Sequence, residues 1–235
     1  MKISFITLFP EMCQSVMQTG VIGRGLDKGT IEFEAINLRD FSTDNYGSVD
    51  DTPYGGGPGM VMKAEPIVKA FESISKSENT RTFITVPGGK TFDQSQAEAL
   101  SNEKHLIFIC GRYEGIDERV KMIIQPEEIS IGDYILTGGE LAALSIVDAS
   151  CRLIEGTLGS YESTLSESFS KETSGIEYPH YTRPQTFKGF SVPDVLLSGN
   201  HSSIEAWRKE ESKKITQEKR PDLLKKNQTE LLVTQ

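Results

Sequence analysis

The run from His105 to Cys110 is almost entirely apolar and predicts a β-strand that is covered on both faces. Strands of this kind occur in parallel sheets that have helices packed on both sides. The runs from Ile3 to Phe9 and from Arg81 to Val86 are rich in β-branched and aromatic residues and predict two more strands. A proline and two glycines follow Val86, and we expect them to end the strand that begins at Arg81.

Helix signals lie between these strands. Pro10 is expected to open a helix at its first turn, and Asp93 followed by Gln96 resembles a capping box. A further strand is predicted within the stretch from Glu127 to Leu136. After Gly139, an apolar stripe has the spacing of one helix face. Its members are Leu141, Leu144, Val147, Cys151 and Ile154. Strands that alternate with helices predict an α/β fold.

Charge is distributed unevenly along the 235 residues. The whole chain has 25 Lys+Arg and 34 Asp+Glu, a net charge of −9. Residues 178–235 hold 10 Lys+Arg and 7 Asp+Glu, whereas residues 1–177 hold 15 and 27. The two parts therefore differ in character, which indicates two roles. The basic part is interpreted either as a nucleic-acid surface or as a solvated helix face.

A Ser/Thr-rich segment between Gly159 and Gly175 separates the two parts. We therefore predict a first domain over residues 1–159, a flexible linker over 160–177 and a helical domain over 178–235. In the last of these, Ser202 with Glu205 predicts a capped helix, and Pro221 is expected to open another.

Several classes of protein are excluded by missing motifs. The chain has no phosphate-binding loop of the P-loop type, no dinucleotide fingerprint after its first strand and no nucleophile elbow. Its three histidines are too far apart for a zinc signature. Cys13, Cys110 and Cys151 are expected to be buried free thiols in a reducing cytoplasm. No stretch predicts a membrane span, and the N-terminus does not resemble a signal peptide.

Three glycine-containing loops follow predicted strands or lead into a helix. They span Val86–Lys90, Cys110–Asp117 and Ile131–Glu140. Ligands of open α/β sheets bind at the carboxyl ends of strands, so the loops are expected to converge on one nucleotide-like ligand. Tyr113 and Tyr134 offer aromatic faces to it. The alternative interpretation is three ordinary tight turns.

A fourth segment, from Asp50 to Met60, is dense in glycine and proline after Tyr54. Such a composition excludes a helix or a central strand. The segment is interpreted either as a surface turn or as a rigid loop over a substrate.

These loops and two later motifs together resemble a known family. The motifs are Val49–Met60, Cys110–Arg119, Ser130–Tyr134, Pro179–Pro184 and Leu197–His201. In this order, over nearly the whole chain, they are similar to the motif set of the bacterial tRNA (guanine-N1-)-methyltransferases.

The resemblance implies a SPOUT methyltransferase domain of α/β class that contains a deep trefoil knot, followed by a small helical C-terminal domain. It implies S-adenosylmethionine as the methyl donor and N1 of guanosine 37 in tRNA as the acceptor. It also implies a cytoplasmic homodimer whose active sites are shared between subunits. Dependence on Mg²⁺ is a further implication, although the sequence contains no cluster of carboxylates that specifies a metal site.

The resemblance also implies roles for single residues. S-adenosylmethionine would be bound by Thr85, Pro87, Gly88, Gly111, Tyr113, Glu114, Gly115, Ile131, Gly132, Asp133, Tyr134, Ile135, Leu136, Gly138 and Gly139. Glu114 would hold either the methionine amine or Mg²⁺. Asp50, His180 and Arg183 would contact tRNA.

Glu167 and Arg152 would be the catalytic residues. Glu167 stands where the family usually has Asp, immediately before Ser168-Phe169, and would accept the proton of guanine N1. Arg152 would donate to the O6 side of guanine. Without the resemblance, Glu167 would be interpreted as an exposed linker acid, and Arg152 as a salt-bridged or snorkelling side chain. In the free protein we expect Glu167 to be solvated and without a fixed partner.

Two departures from the family pattern leave alternatives open. The stretch between Phe169 and Pro179 looks about two residues longer than usual, for which we expect altered mobility at a small entropic cost. The loop Val86–Lys90 also differs from the family pattern. The alternatives are a non-catalytic RNA-binding protein of the same fold and a SPOUT methyltransferase that acts on ribosomal RNA.

Overall fold

The computed structural model describes residues 1–158, 166–170, 173 and 175–224. The chain divides into two compact units, Met1–Gly159 and Ser160–Gln235. In the parts of the chain that are described, no helix is long and apolar enough to cross a membrane.

The first unit is built on a five-stranded parallel sheet. The strands of this unit are β1 (Lys2–Thr7), β2 (Glu32–Asn37), β3 (Asp50–Asp51), β4 (Val61–Met62), β5 (Thr80–Thr91), β6 (His105–Ile109) and β7 (Glu127–Ser130). The sheet has the order β2-β1-β6-β5-β7, while β3 and β4 form a separate antiparallel pair. This confirms the predicted α/β class with a parallel central sheet.

Helices connect the strands. They are α1 (Pro10–Met17), α2 (Gly20–Asp27), α3 (Ala64–Ser73), α4 (Gln94–Leu100), α5 (Arg119–Ile124) and α6 (Glu140–Cys151). Pro10 occupies the first turn of α1, and the Asp93 carboxylate accepts a hydrogen bond from the Gln96 N–H at 3.1 Å. Both predicted helix starts are therefore confirmed.

Strand β6 is buried along its whole length, as its apolar sequence predicts. Leu106 and Phe108 pack in one hydrophobic cluster, and Ile107 and Ile109 pack in a second. Because successive side chains point to opposite faces, each face of the sheet has its own core. The rings of Phe5 and Phe83 stack on either side of Phe108, with centroids 5.9 and 5.5 Å from its own.

The predicted end of one strand is wrong, and another strand is shorter than the stretch in which it is predicted. Strand β5 does not stop at Pro87: Thr85 and Lys90 both pair with Ile129, so residues 86–89 loop out and the strand then resumes. A Cβ on Gly89 would overlap the backbone of Ile129, so only glycine fits there. Strand β7 lies within the predicted stretch Glu127–Leu136 and ends at Ser130, because the chain turns away at Gly132, whose φ is +145°.

Cys13, Cys110 and Cys151 are buried and free, as predicted. Burial raises the pKa of the Cys13 and Cys151 thiols to about 12, and it also raises the pKa of the Cys110 thiol well above its usual value. These thiols therefore stay protonated and behave as small apolar groups.

The second unit contains a two-stranded hairpin and a long helix. Strands β8 (Thr186–Phe187) and β9 (Phe190–Ser191) form the hairpin, and α7 spans His201–Lys219. The N-cap of α7 is Asn200, whose side chain accepts from the Ser203 N–H, so the capping box predicted at Ser202 is wrong. A further helix begins at Pro221 and is described to residue 224.

Candidate active site

One cavity of about 340 Å³ lies where β5, β6 and β7 reach their carboxyl ends. Because the strands are parallel, the loops that follow them meet at this edge of the sheet. The lining residues are Thr85, Val86, Pro87, Gly111, Arg112, Tyr113, Glu114, Gly115, Ile129, Ser130, Ile131, Gly132, Tyr134, Ile135, Leu136, Thr137, Gly138, Gly139 and Ala142. Every residue predicted for S-adenosylmethionine is among them except Gly88 and Asp133.

Tight contacts between backbones hold the second and third loops together. The Gly139 N–H donates to the Gly111 carbonyl at 2.8 Å. A Cβ on Gly139 would lie 2.9 Å from Gly111 N and 3.1 Å from Cys110 Cα, so a side chain would force the backbones apart. A Cβ on Gly138 would overlap the Arg112 guanidinium. These two glycines therefore serve the packing of the loops as well as access to the cavity.

A buried ion pair joins the same two loops, and sequence reasoning missed it. Glu140, the first residue of α6, is fully buried and accepts from Arg112 Nε at 2.9 Å and from the Thr7 hydroxyl at 2.8 Å. Arg112 also donates to the Thr137 carbonyl at 3.2 Å, and its guanidinium lies 4.4 Å from the centroid of the Phe9 ring. A carboxylate in the first turn is also favoured by the helix dipole.

Aromatic and apolar side chains border the cavity. Tyr113 and Tyr134 are exposed, and the Tyr134 hydroxyl donates to the Ile131 carbonyl at 3.3 Å. Ile135 is 80% exposed, which is unusual for an isoleucine. Exposed rings and an exposed isoleucine around a glycine-lined cavity suit a flat ligand with an apolar face.

The glycine- and proline-rich segment lies against the Glu114 loop. The Glu114 N–H donates to the Met60 carbonyl, and the Met62 N–H donates to the Gly115 carbonyl, both at 2.9 Å. A Cβ on Gly59 would overlap the Glu114 side chain. The segment is therefore packed against a loop of the cavity, although Asp50, paired with Met62 in the β3–β4 ladder, does not line it.

Arg152 lies at the opposite end of α6 from the cavity. Gly139 and Ala142, at the start of this helix, line the cavity, whereas Arg152 is its C-cap. Twelve residues at 1.5 Å each give the helix a length of about 18 Å. Arg152 is half-buried and has an interaction partner. Within one chain the structure therefore does not bring Arg152 to the cavity.

The remaining predicted residues belong to the second unit. His180 and Arg183 line a groove of about 560 Å³ together with Trp207, and His180 Nε2 lies 3.0 Å from a carboxylate oxygen of Glu177. Glu167 is half-buried and has an interaction partner. The expectation that Glu167 has no fixed partner in the free protein is therefore wrong.

The comparisons with known proteins agree on one family. The sequence profile of the tRNA (Guanine-1)-methyltransferase TrmD family matches residues 1–226. The chain belongs to this family. A tRNA (guanine-N(1)-)-methyltransferase of Carboxydothermus hydrogenoformans is 55% identical over 225 residues, which cover 96% of this chain and 88% of that protein. The enzymes of Brevibacillus brevis and Dictyoglomus turgidum are 50% and 52% identical, each over 96% of this chain and 92% and 91% of their own length.

Membership confirms the resemblance drawn from the motifs and supports guanine-N1 methylation of tRNA as the activity. It implies S-adenosylmethionine as the methyl donor, and the cavity offers what that molecule requires: a suitable volume, aromatic borders and backbone that glycine leaves accessible. No group of three or more His, Cys, Asp or Glu side chains that would hold a metal is found among the described residues.

Proposed function

We propose that this chain transfers a methyl group from S-adenosylmethionine to N1 of guanosine 37 in tRNA. The convergence of three glycine loops on one cavity, in a chain of this family, carries the proposal. The sulfonium supplies an electrophilic methyl group. The loops of residues 85–87, 111–115 and 131–139 would bind the nucleoside and methionine parts of S-adenosylmethionine. In a SPOUT fold these loops would form part of the trefoil knot.

Two side chains complete the reaction. Guanine N1 carries a proton and becomes a good nucleophile only when that proton leaves. Glu167 accepts the proton while N1 forms its bond to the methyl carbon and the carbon–sulfur bond breaks. Arg152 donates to O6, where negative charge grows during this step. Glu167 differs from the usual Asp by one methylene, which changes the reach of the carboxylate and not its chemistry.

The position of Arg152 supports a homodimer. Ala142 lines the cavity, and the helix from there to Arg152 is about 15 Å long, which is too far for one guanine to touch both. Leu141, Ser145 and Asp148 are exposed on α6, and with Arg152 their spacing places them on one helix face. This face is a suitable contact for a second copy, whose cavity would then receive Arg152.

The second unit is proposed to hold tRNA. Arg208 and Lys213 lie on α7, and Arg183 and His180 line the groove beside Trp207. Basic groups of this kind contact phosphates, and an aromatic ring can stack on a base. The division at Gly159–Ser160 supports a catalytic domain over residues 1–159, with the linker and the helical C-terminal domain after it. Buried reduced thiols support a cytoplasmic location.

Methyl transfer from labelled S-adenosylmethionine to tRNA transcripts tests the function. A transcript with guanosine 37 should be methylated at N1, and the same transcript with adenosine 37 should not. Addition of EDTA and then of Mg²⁺ would decide the metal requirement in the same assay. Binding of tRNA without transfer would favour the non-catalytic alternative, and transfer to ribosomal RNA alone would favour the other SPOUT enzyme.

A further inference from the structure

The segment that carries Glu167 is hydrogen-bonded to helix α7 through the backbone of Ile176. The Thr216 hydroxyl accepts from the Ile176 N–H at 2.9 Å, and the Ser212 hydroxyl donates to the Ile176 carbonyl at 2.6 Å. Both backbone polar groups of Ile176 are thus satisfied by two hydroxyls one helical turn apart. We call these two hydrogen bonds the Ile176 anchor.

The burial of Thr216 indicates that the Ile176 anchor is part of the packed structure and not an incidental surface contact. Thr216 is the one buried residue of α7, with 2% of its surface exposed, whereas the other residues of this described helix are half-buried or exposed. Its hydroxyl also donates to the Ser212 carbonyl at 2.7 Å, so the hydroxyl both donates and accepts a hydrogen bond. Gly175 lies directly on it: a Cβ there would be 2.6 Å from Thr216 Oγ1. The close approach therefore requires glycine at this point.

Short hydrogen bonds connect the anchor to Glu167. The Phe169 N–H donates to the Gly175 carbonyl at 2.8 Å, and the Glu177 N–H donates to the Ser168 hydroxyl at 2.9 Å. The two residues that follow Glu167 are thus tied to the two residues that flank Ile176. Any shift of Ile176 relative to α7 would move the Glu167 carboxylate with it.

Basic residues of α7 lie beside the anchor. A cavity of about 370 Å³ is lined by Gly175 and Tyr178 on one side and by Arg208, Lys213 and Thr216 on the other. The Arg208 guanidinium lies 4.8 Å from the centroid of the Tyr178 ring. A phosphate backbone held by α7 would therefore act on the same helix that holds the Glu167 segment.

We propose that Thr216 and Ser212 are positioning residues that set the placement of Glu167 through the Ile176 anchor and couple it to tRNA on α7. This inference rests on the proposed function, because Glu167 is the base only in that reaction. Without the anchor the Glu167 carboxylate would still be present, but it would be held less precisely. Misplacement of a catalytic group by about 1 Å can lower the rate by up to ~10²-fold.

The test uses Thr216→Val, which removes the hydroxyl at nearly constant volume. Thr216→Ser keeps a hydroxyl at this position and serves as the rescue variant. Ser202→Ala, at an exposed residue of the same helix, is the surface control. Single-turnover methyl transfer at saturating tRNA and S-adenosylmethionine should fall about tenfold or more in Thr216→Val. Thr216→Ser and Ser202→Ala should stay within about twofold of wild type, and the affinity for S-adenosylmethionine should be unchanged in all three.

A double-mutant cycle separates positioning from general damage. In a Glu167→Gln background, Thr216→Val should cost no more than about twofold, because the group it places is already gone. Equal losses in both backgrounds would show that Thr216 does not act through Glu167 and would overturn the inference. So would a wild-type rate in Thr216→Val.

Hydrogen exchange gives a readout that is independent of activity. The Ile176 amide should be protected in the free protein and should exchange faster in Thr216→Val. An unprotected amide in the wild type would refute the anchor itself. If the wild-type chain methylated no tRNA, the proposed function would fail and the positioning role with it, while the exchange rates would still decide whether the anchor exists.

Discussion

At the scale of single residues, the site depends on pairs that are distant in sequence. The glycine loops could be predicted because glycine after an apolar strand is visible in the local sequence. The Arg112–Glu140 pair could not, because its partners are 28 positions apart and each alone looks like a surface charge. The sequence did contain a signal: Glu140 follows two glycines at the start of an apolar helix. A carboxylate at that position is stabilised by the helix dipole and lies next to a loop.

This pair makes a prediction about stability and ligand affinity. Glu140→Gln keeps the size of the side chain but leaves the Arg112 charge without its counterion. We expect the free energy of unfolding to fall by about 3 kcal/mol, the usual scale for breaking a buried pair. Affinity for S-adenosylmethionine should also fall, about tenfold or more, because the pair joins two loops of the cavity. Urea denaturation and calorimetry measure the two effects.

The matched control is Glu127→Gln, which breaks an exposed ion pair with Arg81, whose closest atoms are 2.6 Å apart. Exposed pairs contribute about 1 kcal/mol or less, so both stability and affinity should remain near wild type. Equal effects of the two variants would contradict a special role for Glu140.

At the scale of elements, local sequence predicted where strands are but not how they end. The apolar patterns of β1 and β6 could be recognised in the sequence, because a strand that is buried on both faces needs apolar residues at most of its positions. Residues 86–89 resemble a terminator, yet β5 resumes because Lys90 and Thr91 still find partners on β7. That pairing is a long-range property, and no local signal reports it. The cap of α7 was misassigned for a related reason, because Asn200, Ser202 and Ser203 are all suitable cap residues.

The sheet also contains a row of polar side chains around His105, and we expect this row to make the stability of the protein depend on pH. His105 on β6 is buried; its Nε2 lies 2.8 Å from the Ser4 hydroxyl, which donates to Glu34 at 2.6 Å. Burial, followed by the nearby Lys2 ammonium, lowers the pKa of His105, while Glu34 opposes the shift. Lys76 acts in the same direction as Lys2, and the Thr80 hydroxyl lies 3.4 Å from Nδ1.

The sign of the effect follows from linkage. A histidine whose pKa is lower in the folded chain binds its proton more readily when unfolded, so folding is favoured above the unfolded pKa of about 6.5. That contribution should be lost progressively as the pH falls from about 7 towards the lower folded pKa. In His105→Gln, urea denaturation between pH 7.5 and about 5 should show a shallower loss of stability than in wild type. Exposed His201→Gln should retain the wild-type slope, and a wild-type slope in His105→Gln would refute the assignment.

At the scale of the whole molecule, the question is how two distant groups come to act on one guanine. From the sequence, the prediction that Arg152 and the glycine loops serve one reaction rests only on the family resemblance. The structure adds that α6 holds them at its two ends, so a single chain keeps them about 15 Å apart. A rigid helix cannot bend to close that distance. If both groups act on one guanine, Arg152 must come from a second copy.

Complementation between two inactive variants tests this. Gly139→Val places a side chain against the backbone of Gly111 and should disable the cavity, while Arg152→Ala leaves the cavity intact and removes the donor. Each homodimer should be inactive. In a hybrid, the intact cavity of the Arg152→Ala chain faces Arg152 of the Gly139→Val chain, so one of its two sites should work. If subunits mix at random, half of the dimers are hybrids, and activity should return to about a quarter of the wild-type level.

The control for this test is a mixture of Gly139→Val with a second cavity variant, Gly138→Val, whose side chain would overlap the Arg112 guanidinium. Their hybrids contain no intact cavity and should stay inactive, although the chains mix equally well. Recovery in the first mixture but not in the second would show that Arg152 reaches across the dimer. Confirmed hybrids of the first mixture that remained inactive would instead mean that Arg152 serves the cavity of its own chain, and they would refute the shared site. An active Arg152→Ala homodimer would mean that Arg152 takes no part in the reaction.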